Sequence, residues 1–438
     1  MNVVTIREYG QLTVCPPDLT VCPPDLDHGA ISATAFDFLC ELNERLVGDD
    51  NPPLVQTEGR TSLRLANLVG VLETPCGTRI EILPKHVDDA SDAAPARALL
   101  RRMLLDALDL DPRESDEASL ELYRVPLTEW VMGRFLQALQ RLVRRGIRFE
   151  YVRLEEEQRF LRGQWDVARQ LRQPAGREHI FQIRHDVFLP DRPENRLLRA
   201  AIDRICRATT HPENWRLSHE LAILLSSIGA SRNVPGDFAA WRDDRMMAGY
   251  RAVKPWCRLV LGQEMPLAIQ GSTRGLSMLF PMEQVFERHV TARLQRLVRP
   301  GVRLRPQARQ EHLCKHQGEF MFLLKPDLVF ERSGDRRGAL CVMDAKWKRL
   351  DSANRQKNYN IKSADMYQLY AYGQKYLGGK GALALIYPKT ANFAAPLPVF
   401  TFSETLSLWA LPFDLEAGRL LLPADAGSDF GDILGDVA

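Results

Sequence analysis

Residues 342–348, read as VMDAKWK, place an aspartate and a lysine at the end of an apolar run that begins at Ala339. Apolar runs of this length usually form buried strands, where unpaired charges are costly. Because side chains alternate between the two faces of a strand, Asp344 and Lys346 point the same way. Such a pair is tolerated in a buried strand where the charges are matched or a cation is bound. The pattern therefore predicts a charged site at the end of this strand.

A second aspartate, Asp327, follows Pro326 at the start of the preceding predicted strand, residues 328–330. The two strands are joined through a predicted turn at Ser333. If they pair across this turn, Asp327 and Asp344 converge on one point, since each lies at the same end of the pair.

These two carboxylates and the backbone carbonyl of Ala345 are hard oxygen ligands suited to Mg²⁺, with Mn²⁺ as a substitute. A metal there would lower the pKa of a bound water and neutralise charge on a phosphate. Lys346 would hold or deprotonate that water and contact the scissile phosphate. The chemistry indicated is metal-assisted hydrolysis of a phosphodiester bond.

A helix predicted from Ser363 to Lys375 adds two polar side chains, Gln368 and Tyr372, which are four residues apart and share a face. They are placed to orient the lysine or to touch a DNA backbone. The opposite face is predicted to be the buried stripe of the helix, formed by Met366, Leu369, Tyr370 and Gly373.

The elements that must position these residues form a C-terminal α/β region, residues 276–438. Their predicted order is a helix over 282–298, strands over 320–324, 328–330 and 339–348, the helix over 363–375, and a strand over 382–387.

The rest of the chain predicts two further regions, so the expected fold is an α+β multidomain protein. Alternating apolar residues over 62–72 and 78–83, separated by a Thr-Pro-Cys-Gly turn, favour a hairpin in a β-rich domain over residues 1–90. Helical spacing over 94–110, 127–145 and 194–225 favours a mostly helical middle region over residues 91–275. The segment TVCPPDL occurs twice in succession from Thr13 to Leu26, and its paired prolines favour an extended surface segment.

The C-terminal residues resemble the PD-(D/E)XK nucleases, in the branch similar to the RecB nuclease domain. The resemblance is carried by Pro326-Asp327, by Asp344-Ala345-Lys346, and by Gln368 with Tyr372. It implies that Asp327 and Asp344 are metal ligands, that Lys346 is catalytic, and that Gln368 and Tyr372 are auxiliary. It also implies a glutamate from the preceding helix in the metal shell, for which Glu287 is the first candidate and Glu283 the second.

A resemblance to the McrC family, the nuclease subunits of McrBC methyl-dependent restriction systems, covers most of the chain. It is carried by 69–72 (VGVL), 80–85 (IEILPK), 159–163 (RFLRG), 193–198 (PENRLL), 344–348 (DAKWK) and 365–372 (DMYQLYAY). It implies an N-terminal half that docks on a McrB-like AAA+ GTPase ring and stimulates its GTP hydrolysis. The implied substrate is double-stranded DNA, methylated or plain.

Composition excludes some functions and leaves others open. The net charge of +2 over 438 residues gives no global basic excess, so any nucleic-acid surface must be local. No window is apolar enough to span a bilayer and no secretion signal opens the chain, which favours a cytoplasmic protein without a membrane role. The nearest approach to a phosphate-binding loop, Gly373 to Gly378, carries Gly379 where a lysine is required, so the chain is not expected to be the motor.

Alternatives remain at two levels. Besides the restriction nuclease, the residues allow a RecB-like repair or recombination nuclease, or a non-catalytic activator that keeps the nuclease shape for docking. His312, Cys314 and His316 alternate along a predicted strand and would share one face as a zinc half-site, although no second ligand cluster has matching spacing and polar residues at a strand edge are the default.

Overall fold

The structure is a computed structural model that describes residues 3–15, 25–46, 53–86, 92–109, 125–262, 277–334, 338–423 and 430–435. Most of the TVCPPDL duplication lies outside these residues. The chain divides into two compact units, which are described separately below. Unit 1 comprises Met1–Arg124 with Leu279–Ala438, and unit 2 comprises Val125–Met278.

The strands follow one another along the chain as β1 (Val3–Arg7), β2 (Gln11–Val14), β3 (His28–Ile31), β4 (Val55–Thr57), β5 (Ser62–Leu65), β6 (Leu68–Glu73), β7 (Arg79–Leu83), β8 (Glu150–Gln158), β9 (Gln164–Trp165), β10 (Phe181–Leu189), β11 (Met278–Pro281), β12 (Val302–Pro306), β13 (His312–His316), β14 (Glu319–Leu323), β15 (Leu328–Arg332), β16 (Ala339–Ala345), β17 (Gly381–Pro388), β18 (Phe400–Thr401), β19 (Leu406–Asp414) and β20 (Arg419–Leu420).

The helices are α1 (Ala33–Leu46), α2 (Ala93–Ala107), α3 (Leu127–Arg145), α4 (Val167–Gln170), α5 (Pro193–Ala208), α6 (Pro212–Leu224), α7 (Val234–Ala239), α8 (Ala248–Arg251), α9 (Lys254–Val260), α10 (Met282–Gln295) and α11 (Ser363–Tyr376).

A seven-stranded mixed sheet organises the C-terminal part of unit 1, in the order β12-β15-β16-β17-β19-β18 with β20 added beside β19. β15 and β16 pair antiparallel, whereas β16, β17 and β19 run parallel. Parallel neighbours need a crossover connection, and α11 supplies the one between β16 and β17. The strands at the centre of this sheet are apolar and almost completely buried, as expected when both faces of a sheet are covered.

The N-terminal part of unit 1 contains two four-stranded sheets, with orders β1-β7-β6-β11 and β3-β2-β5-β4. β6 and β7 form a hairpin in the region that predicts one, paired antiparallel from Gly70 with Ile82 to Glu73 with Arg79. The first predicted run, residues 62–72, is not one strand, because it divides into β5, which pairs with β2 and β4, and β6. Gly77 ends its turn at a φ of 83°, a left-handed conformation that glycine adopts without strain.

Unit 2 combines helices α3 to α9 with a three-stranded antiparallel sheet of order β8-β10-β9. The helical spacing over 127–145 predicted α3 with the bounds that the structure gives it, Leu127–Arg145. The single helical block predicted over 194–225 divides into two helices, α5 and α6. The sheet was not predicted. Its strands carry many charged residues, so apolar and polar residues do not alternate clearly along them. Glu155 of β8, for example, pairs with Arg184 of β10 and with Arg169 of α4.

The predicted mixture of helices and several sheets is confirmed. The division at residues 90/91 and 275/276 stays a prediction. The cysteines that the structure describes are free thiols. Within the described part of the chain, no helix has both the length and the apolar character that crossing a membrane requires.

Candidate active site

The antiparallel register of β15 and β16 brings the two predicted aspartates together. Leu328 pairs with Met343, so Asp327 and Asp344 lie one position further along, at the same end of the strand pair. The backbone N–H of Ala345 donates to Asp327 Oδ2 at 2.9 Å. Asp344 is 1% exposed and Asp327 9% exposed, so both carboxylates are buried.

Lys346 connects this pair of carboxylates to α11. Its Nζ lies 2.6 Å from Asp344 Oδ2 and donates to Gln368 Oε1 at 3.3 Å. Gln368 Nε2 in turn donates to the Tyr372 hydroxyl at 2.7 Å. The two polar residues predicted one turn apart on the helix therefore orient the lysine through a chain of hydrogen bonds. This is possible because residues four apart lie on one face of a helix.

Glu287 on α10 reaches the site through a residue that sequence reasoning did not select. The side-chain amide of Gln307 donates both to Glu287 Oε1 and, at 3.3 Å, to Asp327 Oδ1. Glu283, the second candidate, is exposed and forms no hydrogen bond with either aspartate among the described residues. Of the two glutamates, the structure places Glu287 in the site.

The pKa values of the acidic side chains in the site are raised by burial and by mutual repulsion. Burial raises the pKa of Asp327 to about 8, and the nearby Asp344 and Glu287 carboxylates add to this effect. Burial also raises the pKa of Asp344, against the opposing attraction of Lys346. For Glu287, burial is again the main cause of a raised pKa, with Asp344 contributing. Negative charge is crowded here, and a cation would relieve it.

The pKa values of Lys346 and Tyr372, which lie beside the carboxylates, are also raised, but for different reasons. Burial opposes the ammonium form of Lys346, but the attraction of Asp344 outweighs it and raises the pKa of the lysine. Burial raises the pKa of Tyr372 to about 12, with repulsion from Asp344 as a further cause. At neutral pH the site therefore presents an ammonium group and a neutral phenol beside the acidic cluster.

Whether these residues fit a divalent ion can be judged from their hydrogen bonding. Asp344 Oδ2 is buried and, despite the ammonium 2.6 Å away, has no partner in hydrogen-bond geometry among the described residues. Among the described residues, no group of three or more His, Cys, Asp or Glu side chains is placed to hold a metal ion. Mg²⁺ is commonly bound by one or two carboxylates while keeping several waters, so Asp327, Asp344 and the Ala345 carbonyl fit it without a third carboxylate.

Comparison with known proteins identifies the family. The family model described as McrBC 5-methylcytosine restriction system component matches residues 63–388, about three quarters of the sequence. The chain belongs to the McrBC family. All the residues of the candidate site, from Glu287 to Tyr372, lie inside the matched range of this McrBC-family chain.

Two solved structures are similar to this McrBC-family chain. One is a refined half-complex from a tetradecameric assembly of Thermococcus gammatolerans McrB AAA+ hexamers with bound McrC. The TM-score is 0.67 at 20% identity, covering 94% of this chain and 95% of that one. The other, the cryo-EM structure of the Thermococcus gammatolerans McrBC complex, gives a TM-score of 0.50 at 19% identity over 66% of this chain and 86% of that one. At these identities the likeness shows the fold. No curated protein matches the chain.

Several supporting contacts in the McrBC-family site were not predicted. Lys348 Nζ donates to both carboxylate oxygens of Asp365, at 3.1 and 2.8 Å, and so connects the end of β16 to the first turn of α11. The sequence shows that Lys348 and Asp365 carry opposite charges, but their separation of 17 residues does not indicate that they are in contact. Gln307 lies in a loop with a φ of 47°, and no local pattern distinguishes it from other loop glutamines.

The structure corrects one expectation about the side chains of α11. Tyr370, predicted in the buried stripe of α11, is 46% exposed, whereas Tyr372 is buried beside Leu369 and Gly373. The ring of Tyr372 is packed in the hydrophobic core, and its hydroxyl accepts a hydrogen bond from Gln368 of the candidate site. His312, Cys314 and His316 lie on β13 as predicted, but the described residues contain no metal-binding group that includes them.

Proposed function

We propose that the chain is the Mg²⁺-dependent endonuclease subunit of a McrBC-type restriction complex, with a PD-(D/E)XK nuclease domain over residues 276–438. Family membership supports the restriction role. The observation that carries the nuclease role is the junction of Asp327, Asp344 and Lys346 at the end of one strand pair. Two buried carboxylates and an ammonium group at one point form an arrangement suited to binding a divalent cation and a phosphate together.

In this proposal Asp327, Asp344 and the Ala345 carbonyl hold Mg²⁺, and Glu287 acts beside them through Gln307. When bound, Mg²⁺ supplies Lewis acidity toward a water molecule and the phosphate. Lys346 donates to a phosphate oxygen, since its ion pair with Asp344 favours the ammonium form over a free base.

Gln368 and Tyr372 hold the lysine in the orientation that this contact needs. Their hydrogen bonds run from Lys346 Nζ to Gln368 Oε1 and from Gln368 Nε2 to the Tyr372 hydroxyl. Because Tyr372 is also packed in the core beside Leu369, its hydroxyl is a fixed acceptor. A fixed partner of this kind lowers the freedom of a long, flexible lysine side chain.

We further propose that the N-terminal half, with residues 1–90 as a docking domain, binds a McrB-like AAA+ GTPase ring and stimulates its GTP hydrolysis. The support is the family match together with the similar structure in which McrC is bound to McrB AAA+ hexamers. The substrate in this proposal is double-stranded DNA in the cytoplasm, methylated or plain according to the specificity of the partner.

A second candidate function is a non-catalytic activator of the same ring. The family match and the similar McrB-bound structure support docking on the ring, and neither of them bears on catalysis. The two candidates make opposite predictions about cleavage but the same prediction about GTP hydrolysis.

The test uses the full chain purified with the product of a neighbouring AAA+ gene. GTP hydrolysis and cleavage of methylated and plain plasmids in Mg²⁺ are measured for the wild type, for Asp344→Asn, and for Asp203→Asn as the control. Asp203 is a partly exposed aspartate on α5 that pairs with Arg199, where such a change costs little.

We expect Asp344→Asn to stimulate GTP hydrolysis normally while its cleavage falls by about a hundredfold or more, and Asp203→Asn to behave as the wild type. Undiminished cleavage by Asp344→Asn would remove this site from the reaction. Stimulation of GTP hydrolysis by the wild type without cleavage of either DNA would establish the activator function instead.

A further inference from the structure

The hairpin of β13 and β14 exposes an unusual amount of apolar surface. Five large apolar side chains on it are between 38% and 68% exposed, namely Leu313, Phe320, Met321, Phe322 and Leu323. The two strands pair only with each other among the described strands, and nearly all of their side chains are exposed. A two-stranded hairpin has marginal stability in water, and a contiguous exposed apolar patch commonly marks an interaction surface.

Both ends of the hairpin are attached to the candidate active site. On one side lies Gln307, which donates to the Asp327 carboxylate, and on the other lies Asp327 itself, four residues after β14. The base is closed by the backbone N–H of Leu324, which donates to the Glu311 carbonyl at 2.9 Å. The Tyr376 hydroxyl of α11 donates to the Leu324 carbonyl at 3.3 Å. The base is thus fixed to the helix that carries Gln368 and Tyr372.

Phe322 of the hairpin combines a strained backbone conformation with an exposed aromatic ring. Phe322 has a φ of 58°, in the left-handed region that a bulky residue rarely adopts, and its side chain is 68% exposed. Strain of this kind costs about 1–3 kcal/mol and is found mainly at functional sites. No burial of the ring within the chain offsets it.

The charges around the hairpin favour an anionic partner. Residues 303–325 contain five arginines and lysines and two glutamates. Among the described residues, Arg309, Lys315 and Lys325 form no ion pair, and Lys315 lies over the Phe320 ring with its Nζ 4.4 Å from the centroid. An ammonium group above an exposed ring offers both a phosphate contact and a flat apolar surface.

The hairpin is long enough to cross a groove of DNA and is joined directly to the candidate site. A strand of five residues is about 17 Å long, more than the roughly 12 Å width of the major groove. A phosphate at Asp344 and Lys346 would lie beside Gln307 and Asp327, the residues that flank the hairpin.

We propose that the β13–β14 hairpin is a DNA-contacting wedge of the nuclease, with Phe320 and Phe322 resting against bases or sugars in a groove and Lys315 and Lys325 on flanking phosphates. The inference rests on the proposed nuclease function. Apolar side chains that enter a groove between cationic phosphate contacts are a known mode of DNA binding. A second copy of the chain is the other occupant that the apolar surface would suit, and the experiment separates the two.

The experiment measures binding of a fluorescent duplex by the full chain carrying Asp344→Asn, in Mg²⁺ and over a range of KCl concentrations. One variant adds Phe320→Ala with Phe322→Ala, and another adds Lys315→Gln with Lys325→Gln. The matched control adds Ile223→Ala with Leu224→Ala, two equally exposed apolar residues at the end of α6 in unit 2. Circular dichroism and sedimentation velocity of each variant report folding and self-association.

We expect the phenylalanine variant to bind DNA about tenfold more weakly. The lysine variant should reduce the slope of log affinity against log salt by about two, because two phosphate contacts are lost. The control should bind like the parent.

Equal binding by the parent and the phenylalanine variant, or no binding by either, would overturn the proposal. So would a change from dimer to monomer without a change in affinity, which would assign the hairpin to self-association. Undiminished cleavage by Asp344→Asn would contradict the proposed catalytic site, but the affinities would still decide the role of the hairpin.

Discussion

Replacing Glu8 with glutamine is expected to stabilise the folded chain at alkaline pH. Glu8 follows β1 and is 1% exposed. Its Oε1 accepts from the Trp347 indole N–H at 2.8 Å and from the Lys85 backbone N–H at 2.9 Å, whereas its Oε2 is buried with no hydrogen-bond partner among the described residues. A glutamine can keep both hydrogen bonds through its own Oε1 while removing the charge.

The magnitude follows from the pKa of this carboxyl group. Burial is the main cause that raises the pKa of Glu8 from 4.5 to about 7. Because the folded pKa is the higher one, the stability that Glu8 contributes is fully present below pH 4.5 and is lost as the pH rises through 7. The ionised form therefore costs about 3 kcal/mol at pH 8 but about 1 kcal/mol at pH 5. Glu8→Gln avoids that cost.

Differential scanning calorimetry of the full chain at the two pH values measures the effect. We expect the unfolding transition of unit 1 to rise by about 5 °C at pH 8 in Glu8→Gln, and by much less at pH 5. Glu81→Gln is the matched control, since Glu81 is an equally buried glutamate on the neighbouring strand β7 that pairs with Arg97 at 2.6 Å. It should lower the transition at both pH values. A lower transition at pH 8 for Glu8→Gln would refute the reasoning, because it would mean that the ionised carboxylate stabilises the fold.

Three further changes test other parts of the structure. Tyr372→Phe removes the hydroxyl that accepts from the Gln368 amide, so cleavage should slow by about tenfold with an unchanged melting temperature. An unchanged cleavage rate would show that Tyr372 does not help to orient Lys346. Gly373→Ala would place a methyl group 2.9 Å from the Leu406 side chain and should cost about 1–3 kcal/mol of stability by urea unfolding, whereas no loss would show that the contact relaxes freely. Glu129→Gln replaces a carboxylate that accepts four hydrogen bonds from Thr209, Thr210 and Asn214. The unfolding free energy of unit 2 should fall by about 2 kcal/mol, and equal stability would show that charge is unimportant in this network.

The part of the fold and of the site that depends on local patterns could be predicted from the sequence. The hairpin of β6 and β7 and the helix α3 follow from period-2 and period-3.6 spacing. The junction of Asp327 with Asp344 follows from strand alternation and a short connection. Gln368 and Tyr372 follow from the four-residue spacing on a helix.

The remainder depends on contacts between distant parts of the chain. The Trp347 indole donates to Glu8, which is 339 positions away in the sequence. Likewise, the N-terminal 124 residues fall in one compact unit with the last 160, an association that no periodicity reveals. Which tyrosine of α11 is buried was also decided by the sheet beneath the helix, since Tyr370 and Tyr372 are equally apolar in the sequence.

Anomalous diffraction from crystals of the full chain soaked in Mn²⁺ would show most directly whether Asp327 and Asp344 together bind a divalent ion. We expect a strong peak about 2.1 Å from a carboxylate oxygen of each aspartate and from the Ala345 carbonyl. A well-occupied Mn²⁺ peak elsewhere in the chain, with none beside these two carboxylates, would contradict it.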